Sequence, residues 1–291
     1  MSDARIGQEV GRYRIASLLA AGANSRVYVA HDAELDRWVA LKVVETRARV
    51  PAVGSHDTPF GVTRADVVRE ARALARASHP NLVAVFEVGD LGDAVYIAME
   101  LATGQTLSGW LAERPRPVEE ILAIFAAAGA GLAAAHAAGI VHGDFKPDNV
   151  VVEPGGRVRV VDFGLARVRG AQGGGDRRFA GTPRFMAREQ FLGEPVCERT
   201  DQFAFCVALY RALYGEWAFA GTSVPEISYS VVHTDPRRPT WRRGTRGLER
   251  AVMTGLAMDR AARHASMGAL LQALAHSAPG RKMGTPFPGR P

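Results

Sequence analysis

Residues 141–164 constrain this chain more than any other stretch. They read Val141-His142-Gly143-Asp144-Phe145-Lys146-Pro147-Asp148-Asn149-Val150-Val151-Val152, then a Glu153-Pro154-Gly155-Gly156 turn, then Val158-Arg159-Val160-Val161-Asp162-Phe163-Gly164. Two apolar, β-branched runs around a Pro-Gly-Gly turn predict a hairpin. Asp144, Lys146, Asn149 and Asp162 fall at one mouth of it. Polar groups without partners are costly to bury, so a packed core has no use for this set. Such a set suits a site that deprotonates a hydroxyl, holds a divalent metal and neutralises phosphate.

The rest of the chain limits what can surround that stretch. A length of 291 residues fits a two-lobed domain, and 47% hydrophobic residues supply a substantial core. The net charge of +6 comes mostly from arginine; it suits nucleotide phosphates and nucleic acid alike and decides nothing alone. Cys197 and Cys206 match no metal spacing and imply no disulfide framework, which points to a reducing compartment and a cytoplasmic location. The first residues hold no apolar signal core. Residues 121–141 approach the length of a membrane span. They are rich in Ala and Gly, are interrupted by His136 and run straight into the polar loop. A buried helix is expected there, with no transmembrane segment in this chain.

Residues 10–45 alternate as strands do, with a turn at Leu19-Ala20-Ala21-Gly22-Ala23-Asn24-Ser25-Arg26-Val27. Lys42 lies inside the apolar run Val39-Ala40-Leu41-Lys42-Val43-Val44, where its ammonium needs a partner. Residues 45–62 carry Pro51, Gly54, Pro59 and Gly61 without periodicity and predict a loop. A helix follows, with Thr63 as its cap, Asp66 at the third helical position, and Val67, Val68, Ala71, Leu74 and Ala75 as its apolar stripe. Glu70 lies within that stripe. Strands are expected over 82–88 and 94–99, then helices over 107–113 and 118–138, the last ending at Gly139.

Taken in this order, the segments resemble eukaryotic-type protein kinases. Residues 142–149 are similar to the H-R-D-x-x-x-x-N loop, and Asp162-Phe163-Gly164 to D-F-G. Val39-Ala40-Leu41-Lys42 resembles V-A-I-K, and His79-Pro80-Asn81-Leu82-Val83 the H-P-N-I-V turn. The resemblance implies an α+β, bilobal fold over residues 12–275. A small β-rich lobe with one main helix (12–99) leads through a hinge (100–104) to a larger helical lobe (105–275). Residues 1–11 form an extension, and 276–291 a Pro/Gly-rich tail expected to be disordered.

The resemblance also implies roles. Asp144 is the base for the acceptor hydroxyl, and Lys146 touches the γ-phosphate. Lys42 reaches the α- and β-phosphates of ATP, and Glu70 pairs with it. Asn149 and Asp162 hold Mg²⁺, with Mn²⁺ as an alternative ion. Gly22, Val27 and Ala40 line the nucleotide, Met99 is the gatekeeper, and backbone groups of Glu100 and Ala102 bond adenine. Of the glycine lid G-x-G-x-x-G only Gly22 remains, with Ala20 and Ser25 outside it, so a stiffer or differently shaped lid is expected.

His142-Gly143-Asp144 also occurs in small-molecule phosphotransferases of the aminoglycoside-kinase type. Residues 180–189, Ala180-Gly181-Thr182-Pro183-Arg184-Phe185-Met186-Ala187-Arg188-Glu189, decide against that type, because they resemble the peptide-docking G-T-x-x-Y-M-A-P-E stretch. Phe185 and Arg188 depart from it. By the same resemblance Asp201 braces the catalytic loop and Arg263 pairs with Glu189. The expected activity is transfer of the γ-phosphoryl of Mg-ATP to a Ser or Thr hydroxyl of a protein, with no nucleic-acid partner. A pseudokinase scaffold and a small-molecule phosphotransferase are the alternatives. Gly143 replaces the arginine that reads a phosphorylated activation loop in many kinases, and residues 164–181 contain no Ser, Thr or Tyr. Activation independent of phosphorylation in that segment is therefore expected, with Thr182 hydrogen-bonded to Asp144 and Lys146. The arginines at 237, 238, 242, 243, 246 and 250 read as a solvated loop between helices, with docking of an acidic protein as the alternative.

Overall fold

The computed structural model describes residues 5–22, 24–46, 63–163, 182–240 and 243–277. Most of the 45–62 insertion, the 164–181 segment, Arg242 and the tail from residue 278 lie outside the described residues.

The first part of the chain forms a six-stranded antiparallel sheet. Its strands are β1 (Glu9–Val10), β2 (Tyr13–Ala21), β3 (Ser25–Asp32) and β4 (Arg37–Glu45), then β5 (Val85–Asp90) and β6 (Ala94–Glu100), ordered β1-β2-β3-β4-β6-β5. Helix α1 (Arg64–Arg76) lies between β4 and β5 in the chain. Side chains along a strand alternate between faces. On one face of the sheet Val39, Leu41 and Val43 join Tyr13, Ile15, Tyr28 and Tyr96 in a small core. On the other, Ala40 and Val44 meet Ile97, Met99 and the α1 residues Val67, Ala71 and Leu74. Lys42 falls on this second face. Helix α1 starts as its sequence suggests: Thr63 Oγ1 accepts the Asp66 N–H (3.2 Å) and donates to the Asp66 carboxylate (2.6 Å).

Strand β5 begins three residues later than its apolar run suggested. The hairpin of β8 (Val150–Val152) and β9 (Val158–Val160) captures the residues before it. Leu82 bridges Val160 in parallel, the Val160 N–H donates to Asn81 O (2.9 Å), and Asn81 Nδ2 donates to Val158 O (2.8 Å).

The second part is helical around that hairpin, which β7 (Gln105–Thr106) completes as a three-stranded sheet. Its helices are α2 (Leu107–Glu113), α3 (Val118–Ala137), α4 (Arg188–Phe191), α5 (Glu198–Tyr214), α6 (Val224–His233), α7 (Arg246–Gly255) and α8 (Met267–Ser277). Helix α3 is long and apolar enough to cross a membrane by length and composition. In the fold it buries Ile121, Phe125, Ala128, Leu132 and Ala135 and packs on α5, α8 and β9. Gly131 on α3 is required by this packing, since a Cβ there would lie 2.6 Å from the Asn81 carbonyl. Helix α5 is buried along most of its length, with Phe205 against Phe125 and Phe145. Burying such aromatic clusters dominates core stability, and here it fixes α5 beneath the polar loop at 142–149.

Candidate active site

The polar loop is held from below by one carboxylate. Asp201, in the first turn of α5, is 1% exposed. Its Oδ2 accepts the backbone N–H of His142 (2.8 Å) and the Nε2–H of His136 (2.8 Å), and its Oδ1 accepts the backbone N–H of Gly143 (2.7 Å). Gly143 adopts φ +70°, a conformation that costs a side-chain-bearing residue about 1–2 kcal/mol. Its carbonyl accepts Gln190 Nε2–H (3.0 Å), and Gln190 Oε1 accepts the Ala187 N–H (3.0 Å). The Gly143 peptide is thus fixed from both sides.

His142 is fully buried. Its Nδ1 accepts the Asp144 N–H (3.3 Å), so the ring proton resides on Nε2, which donates to Val161 O (3.0 Å). Burial pushes the imidazole pKa down, against the pull of Asp201, the Val161 carbonyl, Asp162 and Asp144. The ring is therefore neutral.

Above this support, Lys146 Nζ donates to Thr182 Oγ1 (2.8 Å) and lies 3.5 Å from Asp144 Oδ2. The Thr182 N–H donates to Asp144 Oδ1 (3.2 Å). Both interactions expected of Thr182 are formed. Asn149 is buried, and its Nδ2–H donates to Asp144 O (2.9 Å).

Across the cleft, Lys42 pairs with Val27 on β3 and Ile97 on β6, and Ala40 pairs with Met99. The Lys42 side chain is 4% exposed, and Nζ donates to Asp162 Oδ1 (2.6 Å) and Phe163 O (3.0 Å). Asp162 has φ +55° and a side chain 46% exposed. Burial raises its carboxyl pKa, but the charge and hydrogen bond of Lys42, with the charge of Lys146, outweigh it and the net shift is down. Glu70 lies half-buried on α1 and forms no ion pair with Lys42 among the described residues. A buried ammonium takes the carboxylate that reaches it, and here the turn after β9 delivers Asp162.

The lid is a tight hairpin. Ala21 pairs with Arg26, and the Gly22 N–H donates to Ser25 O (2.8 Å) without entering the left-handed region. Val27 is half-buried beside it. At the hinge, Met99 is buried, Ala102 is half-buried, and the Glu100 N–H donates to Ala84 O (2.8 Å).

Sequence reasoning missed two supports. Gln190, which holds Gly143, leaves no local signal. Arg159 on β9 has a side chain 4% exposed; it donates to Pro80 O (2.5 Å), Leu82 O (3.2 Å) and the Glu100 carboxylate (2.5 Å). An arginine inside a valine run needed a partner as Lys42 did, and that signal was there to read. The expected Arg263–Glu189 pair is formed and bidentate at 2.7 and 3.0 Å. Burial raises the Glu189 pKa, and Arg263 and Thr200 pull it back below the usual carboxylate range.

A small antiparallel sheet with one helix, a helical lobe and a polar cleft between them define a phosphotransferase architecture. Comparison with known families gives the class directly: residues 13–276 match the protein kinase domain. The chain belongs to the protein kinase family. Among curated relatives it is similar to the serine/threonine-protein kinase PknL of Mycobacterium tuberculosis, with 37% identity over 229 residues, 78% of this chain and 55% of that protein. It is also similar to the serine/threonine-protein kinase pkn3 of Myxococcus xanthus, with 32% identity over 282 residues, 91% of this chain and 50% of that protein. The serine/threonine-protein kinase PknB of Mycobacterium leprae is 34% identical over 238 residues, 79% of this chain and 37% of its own length. The chain thus spans about half, or less, of the length of these bacterial relatives. The family implies ATP and a divalent metal in general.

Proposed function

We propose that this chain transfers the γ-phosphoryl group of Mg-ATP to a serine or threonine hydroxyl of a protein. The observation that carries the reading is the Asp144–Lys146–Thr182 cluster, held on a loop whose backbone N–H groups are bound by Asp201. Phosphoryl transfer asks the protein for positioning and charge neutralisation more than for covalent chemistry. Asp144 orients the acceptor hydroxyl and takes its proton. Lys146 lies close enough to share the charge of the transferring group. Lys42, which the structure pairs with Asp162, binds the α- and β-phosphates, and Glu70 on α1 is the carboxylate that would take its ammonium when Asp162 turns to a ligand. Gly22, Val27, Ala40 and Met99 line the nucleotide, and backbone groups of Glu100 and Ala102 face adenine.

The residues fit a divalent cation. One oxygen of the half-exposed Asp162 carboxylate is held by Lys42, and the Asn149 amide nitrogen is held by Asp144 O, which leaves the Asn149 carbonyl oxygen as a donor. Hard oxygen donors of this kind suit Mg²⁺ and also accept Mn²⁺. When bound, the ion neutralises phosphate charge.

Thr182 serves the peptide site, and activation does not rest on phosphorylation of residues 164–181, which lack hydroxyl side chains. The free cysteines Cys197 and Cys206 fit a reducing, cytoplasmic setting. A nucleotide-binding scaffold is the second reading, favoured by a lid with a single glycine.

Transfer of labelled phosphate from Mg-ATP to a generic protein acceptor and to the kinase itself, against an Asp144→Ala control, separates the two. The wild type should exceed the control by about 10²–10⁴-fold. ATP binding without transfer above the control would leave the scaffold reading.

A further inference from the structure

Two residues beyond Thr182, the chain presents a cation that the phosphotransfer chemistry does not use. Arg184 lies on the short turn 183–185, and its guanidinium sits over the Trp217 ring at 4.9 Å. Arg211, in the last turn of α5, sits over the same ring at 5.1 Å. Phe185 meets Trp217 edge-on at 5.8 Å. The two arginines donate, among the described residues, only to the carbonyls of Gly221 and Gly215. Among the described residues neither has a carboxylate within ion-pair distance, unlike Arg116, Arg159 and Arg263. The nearby carboxylates are engaged by neutral donors. Glu216 accepts from the Thr240 backbone N–H and hydroxyl, and Glu226 from those of Thr222. Like charges brought to one ring without a counter-charge repel each other. The stacking on Trp217 offsets part of that repulsion and fixes both planar forks in place.

We infer that Arg184 and Arg211 form, on the Trp217 ring, a subsite for an acidic side chain of the protein substrate. The inference rests on the phosphotransfer reading for the role of Thr182. Thr182 marks the acceptor position through Lys146 and Asp144, and Arg184 follows it by two residues. At about 3.3–3.6 Å per extended residue, a substrate residue within about four positions of the acceptor reaches the pair. A carboxylate there gains a charge-assisted contact with one pre-oriented guanidinium and the attraction of the second, whereas a lysine meets uncompensated positive charge.

The test uses a threonine-acceptor peptide with Glu, Ala or Lys substituted in turn at each of the four positions on either side. The readout is the ratio of kcat/KM for the Glu peptide over the Ala peptide. A preference of about two- to fivefold for Glu at one position or more is expected of a half-exposed charged contact. In Arg184→Ala/Arg211→Ala the ratio should collapse towards unity, and in Arg211→Glu, on an exposed helix face, the Lys peptide should overtake the Glu peptide. A wild-type ratio near unity at every position, or one that survives both changes, overturns the inference while leaving the kinase reading intact. If no peptide is phosphorylated above the Asp144→Ala control, it is the kinase reading that fails, and fluorescence anisotropy of the same peptides then decides the subsite. Tighter binding of a Glu peptide that is lost in the double variant supports it, and equal affinities overturn it.

Discussion

Asp201 and Asp162 are both aspartates next to the same loop, and they are held in opposite ways. Asp201 is 1% exposed and accepts three hydrogen bonds, two from backbone N–H groups and one from a histidine. Its capacity is largely filled. The Asp162 side chain is 46% exposed and sits at φ +55°, with one oxygen held by Lys42. The comparison separates a carboxylate that builds a site from one that keeps capacity for a ligand. A fully satisfied buried acceptor rigidifies its surroundings, whereas strained backbone with spare lone pairs is characteristic of functional positions.

Substitutions can break that comparison. Asp201→Ala should have the largest effect, because it strands buried donors that cost about 1–3 kcal/mol each when unsatisfied. A loss of about 3–5 kcal/mol in urea unfolding is expected, and a loss below about 1 kcal/mol would show that the loop is held by something else. Asp162→Asn should reverse the pattern. Phosphoryl transfer should fall about 10²–10³-fold while stability falls by only about 1–2 kcal/mol, since the Asn carbonyl still accepts from Lys42. Equal effects on rate and stability would merge the two carboxylates into one class. Gly143→Ala should cost about 1–2 kcal/mol from its positive φ, without altering the partners of Asp201; an unchanged denaturation midpoint would mean that the peptide relaxes.

The smallest effect is the pH dependence. The folded-state pKa values of Asp162, Glu189 and His142 are all lowered. Each group therefore contributes stability that is present above its unfolded pKa and is lost as pH falls through its folded value. His142 begins to weaken the fold below about pH 6.5, and the carboxylates follow below about pH 4. The half-exposed Asp162 contributes less than its shift suggests because solvent screens it. Urea midpoints at pH 7, 6, 5, 4 and 3 should fall monotonically; a profile flat from pH 7 to 5 would remove His142 from the set of perturbed groups, and one flat from pH 5 to 3 would remove Glu189.

Much of the site was legible because its residues lie close together in sequence. Asp144, Lys146, Asn149 and Asp162 stand in one hairpin, and their polarity against valine runs marks them. The α1 cap was legible for the same reason, since Thr63 and Asp66 are three residues apart. Gln190 was not, because its contact with Gly143 spans 47 residues and a surface glutamine looks the same in sequence. The late start of β5 was hidden because an apolar run does not say which sheet will take it. Leu82 and Val83 suit a strand, but Asn81 and Arg159 draw them to the other lobe. The choice of Asp162 over Glu70 as the ion-pair partner of Lys42 depends on how the turn after β9 is placed, which no local pattern encodes.

The imidazole of His142 joins two segments that carry the chemistry. One nitrogen touches the backbone of Asp144 and the other the carbonyl of Val161, the residue before Asp162. A ring of fixed dimensions therefore acts as a strut that sets the spacing between the proposed base and the proposed metal ligand. Reacting groups misplaced by about 1 Å can lose a hundredfold in rate. A single neutral, incompressible side chain thus sets the tolerance of the whole cleft.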